Sequence, residues 1–407
     1  MRDKTKAATV SRAPDDVVYP EMIPFFLVHV ASLGAIWTGI TTRDVVLFLS
    51  LFWLRMFGIT AGYHRYFAHR SYKTGRVFQF VLALLGSLSI QMGALWWASK
   101  HRDHHKYSDT PEDSHSPAQF GFWFAHVGWI WSRSKWPCSY DRISDFTKYP
   151  ELRWLDKHYA LPGLLLGFAV WSIWGWSAFW FGFCASTVLT WHTTFAINSI
   201  AHVLGKQDYV TSDDSRNSWY LALLTLGEGW HNNHHYFQSS VRQGFRWWQI
   251  DVSYYVLWLL SKLGIVWDLK MPPNEVVEGN RRVTERAIDY SAERLIQSLA
   301  LAPRVQQLRS QFDAAKADML RELTETMKQR WEQAPSLTEW KAGMEKAFAD
   351  SDLKRQMDEL PSIEELRARA RATFRRASQV SCDELAVRAY TALLESLAVE
   401  DPQPVVA

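Results

Sequence analysis

Residues 64–105 read HRYFAHRSYKTGRVFQFVLALLGSLSIQMGALWWASKHRDHH. An apolar run, Val77 to Trp97, separates two histidine clusters. The run is long enough to cross a bilayer, which takes about 20 residues. If His69 and His101 serve one site, however, the segment cannot cross once. It must lie along the interface, or enter and return. Ser87, Ser89, Gln91 and Gly93 interrupt its second half, which suits a helix buried against protein better than one facing lipid.

Working outward, nine of the 14 histidines gather in the same manner. They are His64 and His69; His101, His104 and His105; His202; and His231, His234 and His235. Neutral imidazole is the commonest protein ligand for transition metals. Nine rings exceed what one ion can take, so the pattern points to two metals inside one site. In each HxxHH the spacing i, i+3, i+4 puts the rings on one helical face. Asn198 and His202 are likewise i, i+4, at the end of an apolar run. His64 and His69 are five apart, which does not suit one straight α-helical face, so they straddle the end of a membrane helix. The remaining histidines, His29, His115, His126, His158 and His192, stand alone and read as structural.

Further apolar runs cover Met22 to Ile40, Val45 to Thr60, Leu161 to Phe181 and Gly182 to Ile200. The first two are separated only by Thr41-Thr42-Arg43-Asp44, and the last two meet around Phe181. Each pair reads as a helical hairpin. The expected fold is therefore an all-α membrane protein with four transmembrane helices in two hairpins. Arg65, Arg70, Lys73, Arg76, Lys100, Arg102, Lys106 and the basic N-terminal tail (residues 1–20) collect on one side. The positive-inside rule makes that side cytoplasmic. The aromatic-rich stretch Phe120 to Trp131 is expected in the interface.

Aromatics make up 14% of the 407 residues, with 22 Trp, a load that fits interfacial anchoring in lipid. The net charge of +3 and the lack of a basic stripe with interleaved aromatics argue against nucleic acid as a partner. Cys138, Cys184 and Cys382 are far apart and suggest no disulfide framework. Near residue 270 the composition shifts to Glu, Arg, Ala, Leu and Gln. Residues 21–270 read as the membrane domain and 275–407 as a cytosolic helical extension. There, Ala287-Ser291-Leu295-Leu299 and Leu320-Leu323-Met327 keep helical periodicity, and Pro303, Pro335 and Pro361 break it.

No thiolate lies in the clusters, which disfavours structural zinc of the zinc-finger kind. Imidazole suits iron, zinc, copper and nickel alike. All-histidine ligation at a lipid surface suggests dioxygen chemistry. Glu228 and Asp103 are the acids nearest the clusters and are candidates to orient a ring N–H.

HRYFAH, HRDHH, NSIAH and GEGWHNNHH, in this order, resemble the membrane-bound fatty acid desaturases, above all the Δ9 acyl-CoA (stearoyl-CoA type) branch. SDTPEDSHSP and GFRWWQID resemble its bacterial members. The resemblance implies four membrane helices under a cytosolic helical cap, with the chain in the bacterial inner membrane and both termini cytoplasmic. It implies a di-iron centre held by all nine clustered histidines, with Asn198 reaching one iron through water. It implies O2-dependent insertion of a cis double bond into a saturated acyl chain, with no catalytic residue beyond the metal centre. Gln91, Trp96 and Trp97 are expected to line the acyl tunnel. Where the animal enzymes carry Arg-Asp before the second box, this chain has Ser99-Lys100. Acyl-CoA is the expected substrate, with phospholipid- and carrier-bound chains as alternatives. The sequence holds no haem-binding His-Pro-Gly-Gly segment, so electrons are expected from a ferredoxin, rubredoxin or cytochrome served by an NAD(P)H reductase. A hydroxylase on the same scaffold, or a non-catalytic metal-binding membrane protein, are the competing readings.

Overall fold

A computed structural model describes residues 23–301 and 363–375, with single positions between 314 and 325. It is mostly helical; the paired strands among the described residues are β1 (Lys73–Thr74) and β2 (Val266–Trp267), antiparallel. The N-terminal tail, Cys382, Pro303, Pro335, Pro361, Leu320, Leu323 and Met327 lie outside the described residues.

Helix α1 covers Ile23–Ser32. A turn at Gly39, with φ of +73°, leads into α2, Thr42–Phe57. Thr41 caps α2: its hydroxyl accepts from the Asp44 N–H, and Asp44 accepts from the Thr41 N–H at 2.9 Å. The helix then continues as a π-helix, Gly58–Ala68. Together Thr42–Ala68 is long and apolar enough to cross a membrane, as is Leu161–His202.

The second of these is not straight. Gly175, with φ of +79° and ψ of −167°, breaks the run after α5 (Leu161–Ser177) has nearly ended. A Cβ on Gly167 would stand 2.7 Å from the Phe183 ring. Sixteen residues of straight helix would separate the two by about 24 Å, so the chain reverses at Gly175, six residues before the expected Phe181. A second π-helix, Ala178–Ala185, then feeds α6, Ser186–Ser199. The outer surfaces stay apolar: Leu27, Val30, Leu164, Phe168 and Ile173 are exposed, and Trp37 is 80% so. An exposed apolar band of this extent marks a lipid-facing surface.

Polar ties hold the apolar helices together. Arg55 is buried and donates to Thr187 Oγ1 at 2.5 Å, to Ser186 and to Leu51 O. His29 and His192 bring their Nε2 atoms to 3.0 Å, and His192 Nδ1 lies 3.0 Å from His126 Nε2. Three of the solitary histidines thus link α1, α6 and the short helix Phe122–His126.

The run Val77 to Trp97 breaks in the middle. Helix α3 spans Arg76–Ser87 and α4 spans Ala94–Tyr107. Between them Ile90 and Met92 take positive φ values of 55° and 67°. For the β-branched Ile90 this is a strained backbone, kept only because its surroundings over-determine it. Those surroundings are specific. Trp191 Nε1 donates to Ser89 O at 2.7 Å, Gln91 donates to Thr194 Oγ1 at 3.2 Å, and Tyr63 donates to Met92 O at 3.1 Å. Asp156 accepts from the Leu95 and Trp96 N–H groups, which satisfies orphan donors at the start of α4.

The chain divides into two compact units, Met1–Arg281 and Arg282–Ala407. The first extends past the compositional shift at residue 270 because β2 pairs β1, Lys270 N–H donates to Ser71 O, and Val276 is buried with Tyr209 and Phe245. In the second unit α10 (Glu285–Leu301) runs antiparallel to α11 (Ile363–Arg375). Arg375, Arg371 and Arg367 pair with Glu285, Asp289 and Glu293. Ala287, Ile288, Ala292 and Leu295 of α10, and Ala370 and Phe374 of α11, are buried.

Candidate metal centre

Four segments carry the nine clustered histidines to one place. The first is the π-helix. In it His69 N–H donates to His64 O, an i+5 to i bond, at 3.1 Å. A π-turn brings residues five apart into register, so the His64 and His69 rings sit 4.8 Å apart, edge to face. The spacing that fits no α-helical face fits this one.

The two HxxHH helices divide their rings. On α4, His101 and His105 face one group, and His104 faces the other. On α8 (His231–Tyr236), His234 joins the first group, while His231 and His235 join the second. The expected convergence on one face is thus a split, with the i, i+4 pair of each helix serving one group and the i+3 ring of α8, like the central ring of α4, serving the opposite group. The first group is His64, His69, His101, His105 and His234; the second is His104, His202, His231 and His235.

Ring nitrogens within each group are close. In the first, Nε2 distances are 3.0 Å for His64–His234, 2.8 Å for His234–His105, 2.9 Å for His105–His101 and 2.9 Å for His101–His69. In the second, His202 and His231 Nε2 are 3.1 Å apart. Ligands held at about 2.1 Å around one ion are spaced in this way. His235 Nε2 is buried with no hydrogen-bond partner, although its Nδ1 is engaged. Buried polar atoms are rarely orphaned, and an inward ion accounts for this one. Burial, followed by repulsion from neighbouring rings, pushes His69, His101, His105, His231 and His234 well below their ordinary pKa. They are neutral, as ligation requires. Both groups therefore fit a metal ion.

Carboxylates stand behind several rings. Glu228 Oε2 lies 2.5 Å from His64 Nδ1, and its other oxygen accepts from Arg65 at 3.0 Å. Arg65 is fully buried and also donates to Asp251 at 2.9 Å, so it is a core ion pair rather than a topogenic surface charge. Asp103 turns to Arg142 instead of a ring. Sequence reasoning did not find Asp109, Asp113 and Asp213, which meet His202, His104 and His235. Asp109 and Asp113 stand in SDTPEDSHSP, which follows the second cluster after two residues, whereas Asp213 stands apart in Thr211-Ser212-Asp213-Asp214-Ser215. Burial raises the pKa of Asp113 and Asp213, but the adjacent rings outweigh it and hold both well below the usual range. His115, read as solitary, lies against His104 at 4.6 Å between ring centroids, and burial pushes it down to about 3.

A cavity of about 380 Å³ opens beside the first group. Gln91, Trp96 and Trp97 line it, with His101, Asn198, Thr194, Trp191, Ile90 and Leu164. A small cavity of about 40 Å³ lies between the groups, walled by His64, His101, His104, His231 and Asn198. Lys100 borders both the large cavity and a polar one that holds Asp103, Tyr107, Ser139 and Arg142.

Residues 44–267 match the fatty acid desaturase family. The chain is 36% identical over 284 residues to an acyl-CoA 5-desaturase of Anemone leveillei, covering 67% of this chain and 85% of that one. It is 39% identical over 218 residues to Delta-9 acyl-lipid desaturase 2 of Arabidopsis thaliana, covering 53% and 71%. It is 36% identical over 251 residues to an sn-1 stearoyl-lipid 9-desaturase of Anabaena variabilis, covering 61% and 92%. With its paired histidine groups and apolar helices, the chain belongs to the fatty acid desaturase family.

Proposed function

We propose that this chain inserts a cis double bond at the Δ9 position of a saturated acyl chain carried as acyl-CoA, using two iron ions and O2. The observation that carries this reading is the cavity that passes His101 and Asn198 between walls of Trp, Phe, Ile and Leu. An acyl chain is the ligand such a wall excludes water for. Two of the three relatives compared above are named for position 9.

The two ions would be held by the five-histidine and four-histidine groups, with Asn198 facing one of them through water. When bound, they would supply the O2 activation that takes hydrogen from an unactivated methylene. The chain's own residues do the rest. No side chain can activate such a C–H bond by acid or base, so position along the acyl chain decides which bond reacts. Gln91, held by Thr194, and Trp97, beside His101, fix the wall of the cavity at that level. The apolar lining keeps the cavity dry and shields the oxidant from side reactions.

Lys100 favours an anionic head group. Its Nζ donates to Pro137 O at 3.1 Å, at the junction of the apolar and polar cavities. The relatives named for acyl-lipids make phospholipid-bound chains the alternative. Four membrane helices in two hairpins would place the metal centre and both termini on the cytoplasmic side of a bacterial inner membrane. A separate ferredoxin, rubredoxin or cytochrome would deliver electrons.

The test is expression in a host that supplies ferredoxin and its reductase, followed by mass spectrometry of double-bond position. A new Δ9 bond that needs O2 is expected. An unchanged acyl profile, with both metal ions bound, would sink the reading.

A further inference from the structure

We infer that the two halves of the metal centre are unequal by construction: aspartates back three of the four imidazoles in the second group, which makes it the tight site and the first group the labile one. This rests on the dinuclear reading above and goes beyond it by ranking the two sites.

The second group is backed as follows. His104 Nδ1 lies 3.1 Å from Asp113, His202 Nδ1 lies 3.0 Å from Asp109, and His235 Nδ1 lies 2.7 Å from Asp213. All three aspartates are buried, and none has an arginine or lysine side chain within ion-pair distance among the described residues. Neutral donors hold them instead. Asp214 N–H and Ser116 Oγ donate to Asp109, Asp109 N–H donates to Asp113, and Ser215 donates to Asp213. Asp109 and Asp213 therefore each direct their full charge at one ring of the group, and Asp113 directs its charge at His104 and, at 3.7 Å, at His115 Nδ1.

The first group is backed differently. Its one carboxylate, Glu228 on His64, is shared with the guanidinium of Arg65, which offsets its charge. The Nδ1 atoms of His64 and His234 face the Gln243 side-chain amide at 3.3 and 3.4 Å, and His105 Nδ1 has no partner. Five rings surround this site, but little negative charge stands behind them.

A carboxylate that accepts from the outer ring N–H fixes the tautomer and strengthens the inner nitrogen as a donor. It also sets a negative charge near a dication in a medium of low dielectric, where the attraction is large. Removing such a partner typically weakens metal binding by 10–100-fold. Three unneutralised aspartates against one neutralised glutamate should thus separate the two sites by well over tenfold.

Equilibrium dialysis of the full-length protein in detergent against buffered cobalt(II) tests this directly. Cobalt's visible bands follow its uptake, and the step that a variant moves assigns the site that fills first. Wild type should take up two ions in two steps at least tenfold apart in free metal. Asp213→Asn should move the tight step 10–100-fold toward weaker binding and leave the loose step in place. Gln243→Glu, which adds a carboxylate behind His64 and His234, should tighten the loose step alone. Two ions bound in one unresolved step, or Asp213→Asn weakening the loose step in place of the tight one, would overturn the ranking. Saturation at one ion per chain would instead strike the dinuclear reading on which it rests.

Discussion

His69 and His101 bring their Nε2 atoms to 2.9 Å of one another across 32 residues of chain. The apolar segment between them must therefore start and finish at the same level, and it does so by breaking at Ser89–Met92. That break leans on Gly163 of α5, where a Cβ would stand 2.3 Å from Ile90 Cγ1. Gly163→Val should force Ile90 out of its strained conformation, at a cost of about 1–3 kcal/mol for overpacking. The expected outcome is a lower melting temperature together with a changed chain-length profile of products, because Ile90 lines the acyl cavity. A normal melting temperature with an unchanged profile would show that the loop does not depend on this contact.

His105 and His234 meet at 2.8 Å in the five-histidine group. His105→Ala or His234→Ala should abolish product, while circular dichroism and membrane insertion stay close to wild type. The helices that hold these rings owe their placement to apolar packing and to the Arg65 cluster, not to any one imidazole. Unchanged unsaturation in either variant would remove that residue from the metal centre.

Much of the site was legible in the sequence, and the reasons it was incomplete are physical. The histidines stood out because metal ligation tolerates few residue types. How they divide between two ions did not, because an i, i+3, i+4 face is wide enough to serve two points. His64 and His69 looked mismatched only when judged against an α-helix; the π-helical i+5 bond is set by packing that the local sequence does not announce. Asp109, Asp113 and Asp213 sit in loops without periodicity, so even SDTPEDSHSP, which holds the first two, does not show which rings they meet. The reversal at Gly175 was placed six residues late because hydropathy runs unbroken through it.

Lys100 lies where the acyl cavity joins the polar one. Lys100→Glu should raise KM for an acyl-CoA by about tenfold, the value of one charge-assisted hydrogen bond of about 1.5 kcal/mol, with kcat little changed. If the head group is an uncharged lipid, KM will not move, and a comparison of acyl-CoA with lipid vesicles as substrate separates the two cases.

Glu228 connects His64 to Arg65, and Arg65 connects Glu228 to Asp251. Glu228→Gln leaves a buried guanidinium with one acid instead of two. A loss of about 1.5–3 kcal/mol in denaturant-measured stability is expected, the range for hydrogen bonds to charged groups. Asp251→Asn should cost a similar amount. The double variant should cost more than the sum, because Arg65 would then be buried without any counter-charge. Strict additivity would mean that the two acids do not act through Arg65.

Acid should destabilise the metal-free protein in two stages. Burial and neighbouring rings lower the folded-state pKa of His69, His101, His105, His231 and His234. Unfolded histidine titrates near 6.5. Below that value the unfolded chain binds protons that the folded chain refuses, so stability present above about pH 6.5 is lost as pH falls. The buried carboxylates act lower. Asp109, Asp113, Asp213 and Glu228 are held below their ordinary values by the rings and Arg65 beside them, against burial. Their contribution is present above about pH 4 and disappears as pH falls through their folded values. Melting temperatures of chelator-treated protein in detergent should therefore fall from pH 6.5 to 5, and fall again below pH 4. Bound metal should flatten the first drop, since it competes with protons for the same nitrogens. A melting temperature that rises between pH 6.5 and 5 would mean that these rings are protonated in the fold, and a metal centre built from them would not form.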